Sequence, residues 1–160
     1  MGDYDYSTSR ESCLFCHEEG SGRPTSRHLV RFLRNSSESL KLPEGSVIIA
    51  GIDTEDETSS DDIILSDLNS SKVLSHSPLS FDLINDDQNL FMIAGDTHGG
   101  QVPLPSRLFS ILGYKKNALY SQGLFEKRMK KMFVSRGIGT SHVPVRLFRK
   151  PEVVVLHFAN

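Results

Sequence analysis

Leu90-Phe91-Met92-Ile93-Ala94-Gly95-Asp96-Thr97-His98-Gly99-Gly100-Gln101 is the stretch on which the fold turns. Its first five residues are continuously apolar and too few for an ordinary helix, which predicts a buried strand over 90–94. Glycines then flank Asp96 and His98. Glycine accepts backbone conformations that other residues resist, so such a segment bends sharply and lets the chain approach a ligand closely. A carboxylate and an imidazole two positions apart can reach one cation cluster, and that donor pair suits zinc, manganese or iron.

Upstream, Lys72-Val73-Leu74-Ser75 predicts a second strand that runs into His76. A stiff, buried strand fixes the direction of the ligand that follows it. One histidine at a strand end is usually an ordinary polar group. Two strands that each end in a histidine, His76 and His98, make a far stronger signal for a metal site. Further upstream, residues 46–51 (SVIIAG) form another short apolar run behind the turn Leu42-Pro43-Glu44-Gly45, and they predict a third buried strand.

Outward from these strands the signals are weaker. Residues 24–35 place Leu29, Val30, Phe32 and Leu33 on one helical stripe with Arg27, Arg31 and Arg34 outside it. Residues 1–24 are polar and glycine-rich, as expected of a loop. The acidic, serine-rich residues 54–62 predict an exposed loop leading into a short helix through Leu68, and 78–86 predict another short helix. Downstream, 118–125 and 131–135 read as the arms of a hairpin around 127–130, and 151–158 (PEVVVLHF) as a closing strand. The pattern is α/β with mixed, packed sheets. Residues 1–44 form a loop-and-helix region, and 45–160 carry the metal-motif strands and the hairpin.

The 160 residues are 38% hydrophobic and 24% charged, as in a soluble globular domain. No apolar run reaches the roughly 18–20 residues that cross a bilayer, and the N-terminus does not read as a signal peptide. A cytoplasmic protein with reduced cysteines is the expectation. The net charge of -2 conceals an asymmetry: residues 1–100 carry 7 basic and 18 acidic side chains, residues 101–160 carry 11 and 2. A basic end attracts phosphate-bearing substrates, nucleic acid or an anionic membrane face; the alternative is that the two parts neutralise each other in the fold. Aromatics are not interleaved with the basic residues as a base-stacking surface requires, which argues against nucleic acid.

Leu74-Ser75-His76-Ser77-Pro78 followed by GDTHGGQ at 95–101 resembles the paired "sHnP" and "GHTHGGQ" blocks of bacterial calcineurin-like metallophosphoesterases. Residues 133–158 (FVSRGIGTSHVPVRLFRKPEVVVLHF) resemble the closing block of the same branch, which includes enzymes cleaving UDP-2,3-diacylglucosamine in lipid A synthesis. The resemblance covers about 45–160, and GDYDY at 2–6 stands where the family has G-N-H-D-Y. It implies the C-terminal part of a four-layer α/β/β/α sandwich. The family's earlier D-x-H and G-D motifs have no counterpart, so the chain is expected to be a truncated member beginning inside a catalytic motif.

The implied activity is hydrolysis of phosphoester or pyrophosphate bonds by a hydroxide activated between two divalent ions, drawn from manganese, zinc, iron or magnesium. The implied substrates are phosphorylated small molecules or lipid-linked compounds such as a nucleotide-linked lipid A precursor. Peripheral contact with the inner face of the membrane would accompany the latter. His76 matches a ligand of the second metal, and His98 a ligand of the first. Asp96 stands in place of a ligating histidine, Asp3 in place of a ligating asparagine, and Tyr4 in place of the catalytic histidine. A phenol with a pKa near 10 replaces poorly an imidazole that titrates near neutrality. Arg136 and Arg146 fall in the closing block, where an arginine grips a phosphate bidentately or fixes a loop through carbonyls. These departures leave a second reading open: a non-catalytic remnant that binds a metal or anion, or an interaction module.

Cys13-Leu14-Phe15-Cys16-His17 matches the C-x-x-C-H of c-type haem attachment, and with His28 it would also supply four zinc ligands. Without an export signal, incidental reduced cysteines are the expectation.

Overall fold

A computed structural model describes residues 33, 35–43, 45–52, 68–141 and 144–158. Its frame is a six-stranded mixed sheet. The strands are β1 (Ser36–Leu42), β2 (Gly45–Ile52), β3 (Lys72–Ser75), β4 (Phe91–Ala94), β5 (Gly123–Lys127) and β6 (Lys130–Val134), in the spatial order β1-β2-β3-β4-β6-β5. β2, β3, β4 and β6 run parallel, and β1 and β5 close the two edges antiparallel. Three short helices accompany them: α1 (Ser80–Leu83), α2 (Ser106–Ile111) and α3 (Lys115–Leu119).

The apolar runs became the central strands because they bury alternate side chains on one face. Ala50, Val73, Met92 and Met132 lie side by side across β2, β3, β4 and β6, all fully buried. Ile52, Ala94 and Val134 form a second row of the same face, and Leu68, Phe81, Ile84, Leu90 and Tyr120 pack over it. Edge-to-face aromatic contacts join Phe81 to Tyr120 at 6.1 Å and Tyr120 to Phe125 at 5.0 Å. Such pairs add to the gain from burying the rings.

Lys130, at the start of β6, is wholly buried beneath this layer. Its ammonium donates to the carbonyls of Phe81, at 2.6 Å, and Ile84, and meets Asp86 Oδ1 at 2.7 Å. These carbonyls lie in and just after α1, where a helix leaves acceptors unpaired and its dipole favours a cation. Lys130 therefore closes the end of α1 from inside the core.

The sheet's other face is less covered. Leu74 and Leu124 remain 43% and 56% exposed, and Ile93 and Phe133 between them are half-buried. The Phe158 ring sits on Phe91 at 5.2 Å, beneath the Lys72 ammonium, which lies 4.2 Å from its centroid.

Several sequence expectations change here. The strands over 46–51, 72–75 and 90–94 are present, as is a helix within 78–86. The hairpin is present with shorter arms, because Ala118 and Leu119 belong to α3 and β5 starts at Gly123. Residues 151–158 join no ladder among the described residues, so the closing strand is not formed there. β1 was not expected; its polar SSESLKL is almost wholly exposed, as suits a sheet edge. The predicted helix over 24–35 and the loop over 54–62 lie outside the described residues, apart from Leu33 and Asn35. No helix among the described residues is long and apolar enough to cross a membrane.

Candidate functional site

The register of two parallel strands builds the site. β3 and β4 are adjacent, with Ser75 paired to Ala94, so the residues just beyond them emerge together at the carboxyl end of the sheet. The Gly95 amide donates to the His76 carbonyl at 3.1 Å, carrying the pairing one step past the strands. His76 Nε2 then lies 3.4 Å from Asp96 Oδ1. Ligands in open α/β sheets gather at this end of the strands.

Beyond β4 the backbone is strained. Asp96 (φ 68°), His98 (50°) and Gln101 (46°) all lie in the left-handed region, alongside Gly99 (64°) and Gly100 (78°). For a residue with a side chain this costs about 1–2 kcal/mol, and strain of this kind clusters at functional sites. The two glycines are needed for close approach. A Cβ on Gly99 would stand 2.5 Å from Arg136 Cγ, and one on Gly100 would stand 2.8 Å from Phe109 Cζ.

Hydrogen bonds hold the strained loop from three sides. Thr97 Oγ1 donates to the Ser121 carbonyl at 2.7 Å, and Asn117 Nδ2 donates to the Thr97 carbonyl at 2.8 Å, tying the loop to α3 and its exit. Gln101 Oε1 accepts from the Ser141 amide at 2.6 Å and from its hydroxyl at 3.1 Å. The Leu147 amide donates to the Gln101 carbonyl at 2.8 Å. His98 Nδ1 lies 3.0 Å from the Gly139 carbonyl. A carbonyl only accepts, so Nδ1 is the donor in that contact, the arrangement by which a metal-binding histidine commonly leaves Nε2 for its ligand.

The two arginines have partners within the fold. Arg146 donates to the carbonyls of His98 (3.1 Å), Arg149 (3.3 Å), Arg136 (2.8 Å) and Gly139. It is a clamp that joins the His98 loop to the loop after β6. Arg136 pairs with Glu152: its amide donates to Oε1 and its Nε to Oε2, both at 2.9 Å, and Nη2 also meets Oε2. The two guanidinium contacts converge on one oxygen, and they raise the guanidinium's pKa and lower the carboxyl's. In this arrangement both side chains position loops.

Asp96 is the electrostatic centre of the site. Burial alone would raise its pKa; hydrogen bonding to His76 and Lys116, and the charges of both, outweigh burial and hold it below the usual carboxylate value. Lys116 Nζ, from α3, forms an ion pair with Asp96 Oδ2 at 2.6 Å. Neither Lys116 nor Gln101 stood out from the sequence as a site side chain. The only signal for Lys116 was its place in a basic pair downstream of the motif.

The donor set can be tested against a divalent ion. Two ligands on a tetrahedral cation at about 2.1 Å stand roughly 3.4 Å apart, which is the His76–Asp96 separation. The pair fits one edge of a cation site. Among the described residues no three His, Cys, Asp or Glu side chains converge to hold a metal. Asp3 and Tyr4 lie outside the described residues, as do Cys13, Cys16, His17 and His28.

Fold and site together define an α/β protein whose parallel strands deliver imidazole and carboxylate to one point. Over 127 residues the chain is 31% identical to YkuE of Bacillus subtilis, an uncharacterized metallophosphoesterase; the match takes in 76% of this chain and 44% of that protein. It is 30% identical over 138 residues to YpbG, an uncharacterized protein of the same organism, covering 81% of this chain and 48% of the relative. It is 35% identical over 86 residues to the phosphodiesterase YaeI of Escherichia coli, covering 52% and 30%. The chain thus spans less than half the length of these curated relatives. No family model and no solved structure matches it. The similarity to YkuE and YaeI supports the metallophosphoesterase family, whose name implies divalent metal use.

Proposed function

We propose that the strand-end site serves metal-dependent hydrolysis of phosphate esters, with phosphodiesters as the substrate class. The observation that carries the reading is the delivery of His76 Nε2 and Asp96 Oδ1 to a ligand-edge separation by two adjacent parallel strands. The relatives' names support the class, and that of YaeI supports diesters.

His76 would hold the cation through Nε2 and Asp96 through Oδ1. His98, its Nδ1 proton fixed on the Gly139 carbonyl, offers Nε2 from the strained loop. A bound divalent ion would supply an acidified water and offset charge on the phosphoryl oxygens. Arg146 keeps the two loops in register by gripping their carbonyls, and Arg136 packs over Gly99 while paired to Glu152.

The test is turnover of bis(p-nitrophenyl) phosphate by the full chain with manganese, compared with the His76→Ala and Asp96→Ala variants. The expected result is manganese-dependent turnover that falls at least about 100-fold in each variant, the scale of losing a metal ligand or its support. Turnover that survives both substitutions, or none in the parent chain at saturating manganese, overturns the proposal.

A further inference from the structure

We infer that α2 and the turn into α3 form a docking surface for an anionic lipid membrane. Leu108, Ile111 and Leu112 stand at i, i+3 and i+4 along and just after α2, so they share one side of it. That side faces solvent: Ile111 is 73% exposed and Leu112 54%, with Leu108 and, in the turn, Tyr114 exposed beside them. Large apolar side chains gathered in this way on a protein surface mark an interaction site. Arg107 and Lys115 flank them, both exposed, and no acidic residue occurs between Asp96 and Glu126. Aliphatic side chains suit the acyl boundary, a tyrosine the headgroup level, and basic ends the lipid phosphates. Together they complement an anionic bilayer surface.

Charge decides between lipid and other occupants. A second copy docked face to face would set Arg107 and Lys115 near their equivalents, with no acidic side chain in 97–125 to offset them. The open face of the sheet differs in this respect. Leu124 is exposed there too, but Glu126 on the same side of β5 pairs with Lys131 at 3.0 Å, so the charges beside it balance. The α2 surface is also fastened from behind. Phe109 points inward, buried with its ring against Gly100, and Asn117 of α3 donates to the Thr97 carbonyl. Docking through α2 therefore brings the loop over 97–101 close to the headgroups. The inference stands on this surface and draws nothing from the cation site.

The test is co-sedimentation of the full chain with vesicles of phosphatidylcholine alone and of phosphatidylcholine mixed in equal parts with phosphatidylglycerol. The mixed vesicles should bind at least about tenfold more tightly, since each basic group near the surface contributes about fivefold, and added salt should weaken that binding. Ile111→Ser combined with Leu112→Ser should lose at least about tenfold on the mixed vesicles. Arg107→Gln combined with Lys115→Gln should lose most of the preference for them. Leu124→Ser removes a similarly exposed side chain from the sheet and should bind like the parent. No sedimentation of the parent with mixed vesicles overturns the inference. So does full binding by the Ile111 and Leu112 variant, an undiminished preference in the Arg107 and Lys115 variant, or an equal loss in Leu124→Ser. A parent chain that instead forms a dimer, dissolved by the serine substitutions at Ile111 and Leu112, overturns it in favour of a second copy. One readout does not depend on losing binding. The chain has no tryptophan, so Tyr114→Trp places a single indole in the surface, and its emission should shift to the blue with the mixed vesicles. Sedimentation without that shift overturns the assignment of this surface.

Discussion

Gly99→Ala isolates what the strained loop owes to close packing. Gly99 has φ 64°, and a Cβ there would stand 2.5 Å from Arg136 Cγ, 2.9 Å from its Cδ and 3.0 Å from Gln122 Oε1. Two costs follow. An L-residue in the left-handed region loses about 1–2 kcal/mol. Clearing the clash forces Arg136 aside, and its pairing with Glu152 through Nε and Nη2 cannot then keep its geometry. Overpacking of this kind puts that second cost at about 1–3 kcal/mol, for a total of roughly 2–5 kcal/mol. In a chain of this size each kcal/mol lowers Tm by about 2–4 °C.

Gly113→Ala is the internal control. Gly113 has φ 81° and nothing within 4 Å of a Cβ, so it bears the conformational cost without the clash. Replacing glycine by alanine also restricts the unfolded chain, by about 0.4–1 kcal/mol, but equally at both positions, so the comparison removes it. Thermal unfolding of the two variants should show Gly99→Ala lower by roughly 2–12 °C than Gly113→Ala. Equal losses would refute the reasoning: Arg136 would then rest on Gly99 without being held there, and the loop would not depend on the contact.

Lys130→Met keeps the volume of a buried side chain but leaves the Phe81 and Ile84 carbonyls without their donor. Each of the two orphaned acceptors costs about 1–3 kcal/mol, so urea unfolding should show a loss of roughly 2–6 kcal/mol; a loss under about 0.5 kcal/mol would mean water reaches the end of α1. Stability at low pH should depend on Asp82. Burial raises its pKa, but hydrogen bonds from Lys127 and Tyr120 and the charges of Lys127 and Lys130 outweigh this and hold it below the ordinary 3.8. The folded state thus binds its proton less readily than the unfolded chain. The resulting stability is present above about pH 4 and disappears as pH falls through the folded value. Denaturation midpoints between pH 5 and 2 should fall less steeply in Asp82→Asn than in the parent chain, and identical slopes would exclude Asp82 as a contributor.

The central strands and the strand-end donors were legible for one reason. A short apolar run bounded by turn residues fixes a strand, and the residue that follows is fixed by the strand. The register that brings His76 beside Asp96 is not written in either segment; it comes from β3 and β4 pairing in parallel with Ser75 opposite Ala94. β1 escaped notice because SSESLKL lies at an edge, where exposure removes the alternation that marks a strand. Residues 151–158 misled for the opposite reason. Glu152, Val154 and Leu156 are half-buried between exposed neighbours, and a segment lying over a sheet buries alternate side chains just as a ladder strand does. Periodicity reports that one side is covered, not which backbone groups pair. Lys116 was hidden by distance, since the ion pair spans 20 positions and arises only once α3 folds back onto the loop.

Part of the charge asymmetry of the sequence is met by contacts of the same kind among the described residues. Four basic residues of the later segment meet acidic residues of the earlier one: Lys127 with Asp82, Lys130 with Asp86, Arg128 with Asp87 and Lys116 with Asp96. Among the described residues these four pairs carry part of the neutralisation that the composition offered as one alternative. The four are not equivalent. Arg128 and Asp87 are each 68% exposed, so solvent and salt screen their pairing and it adds little. Lys130 is buried and acts chiefly on carbonyls, as a part of the core. Only the Lys116–Asp96 pair combines partial burial with a place at the carboxyl end of the sheet. There the ammonium offsets the burial of the Asp96 carboxylate, so the docking of α3 and the charge held at the strand ends depend on one interaction.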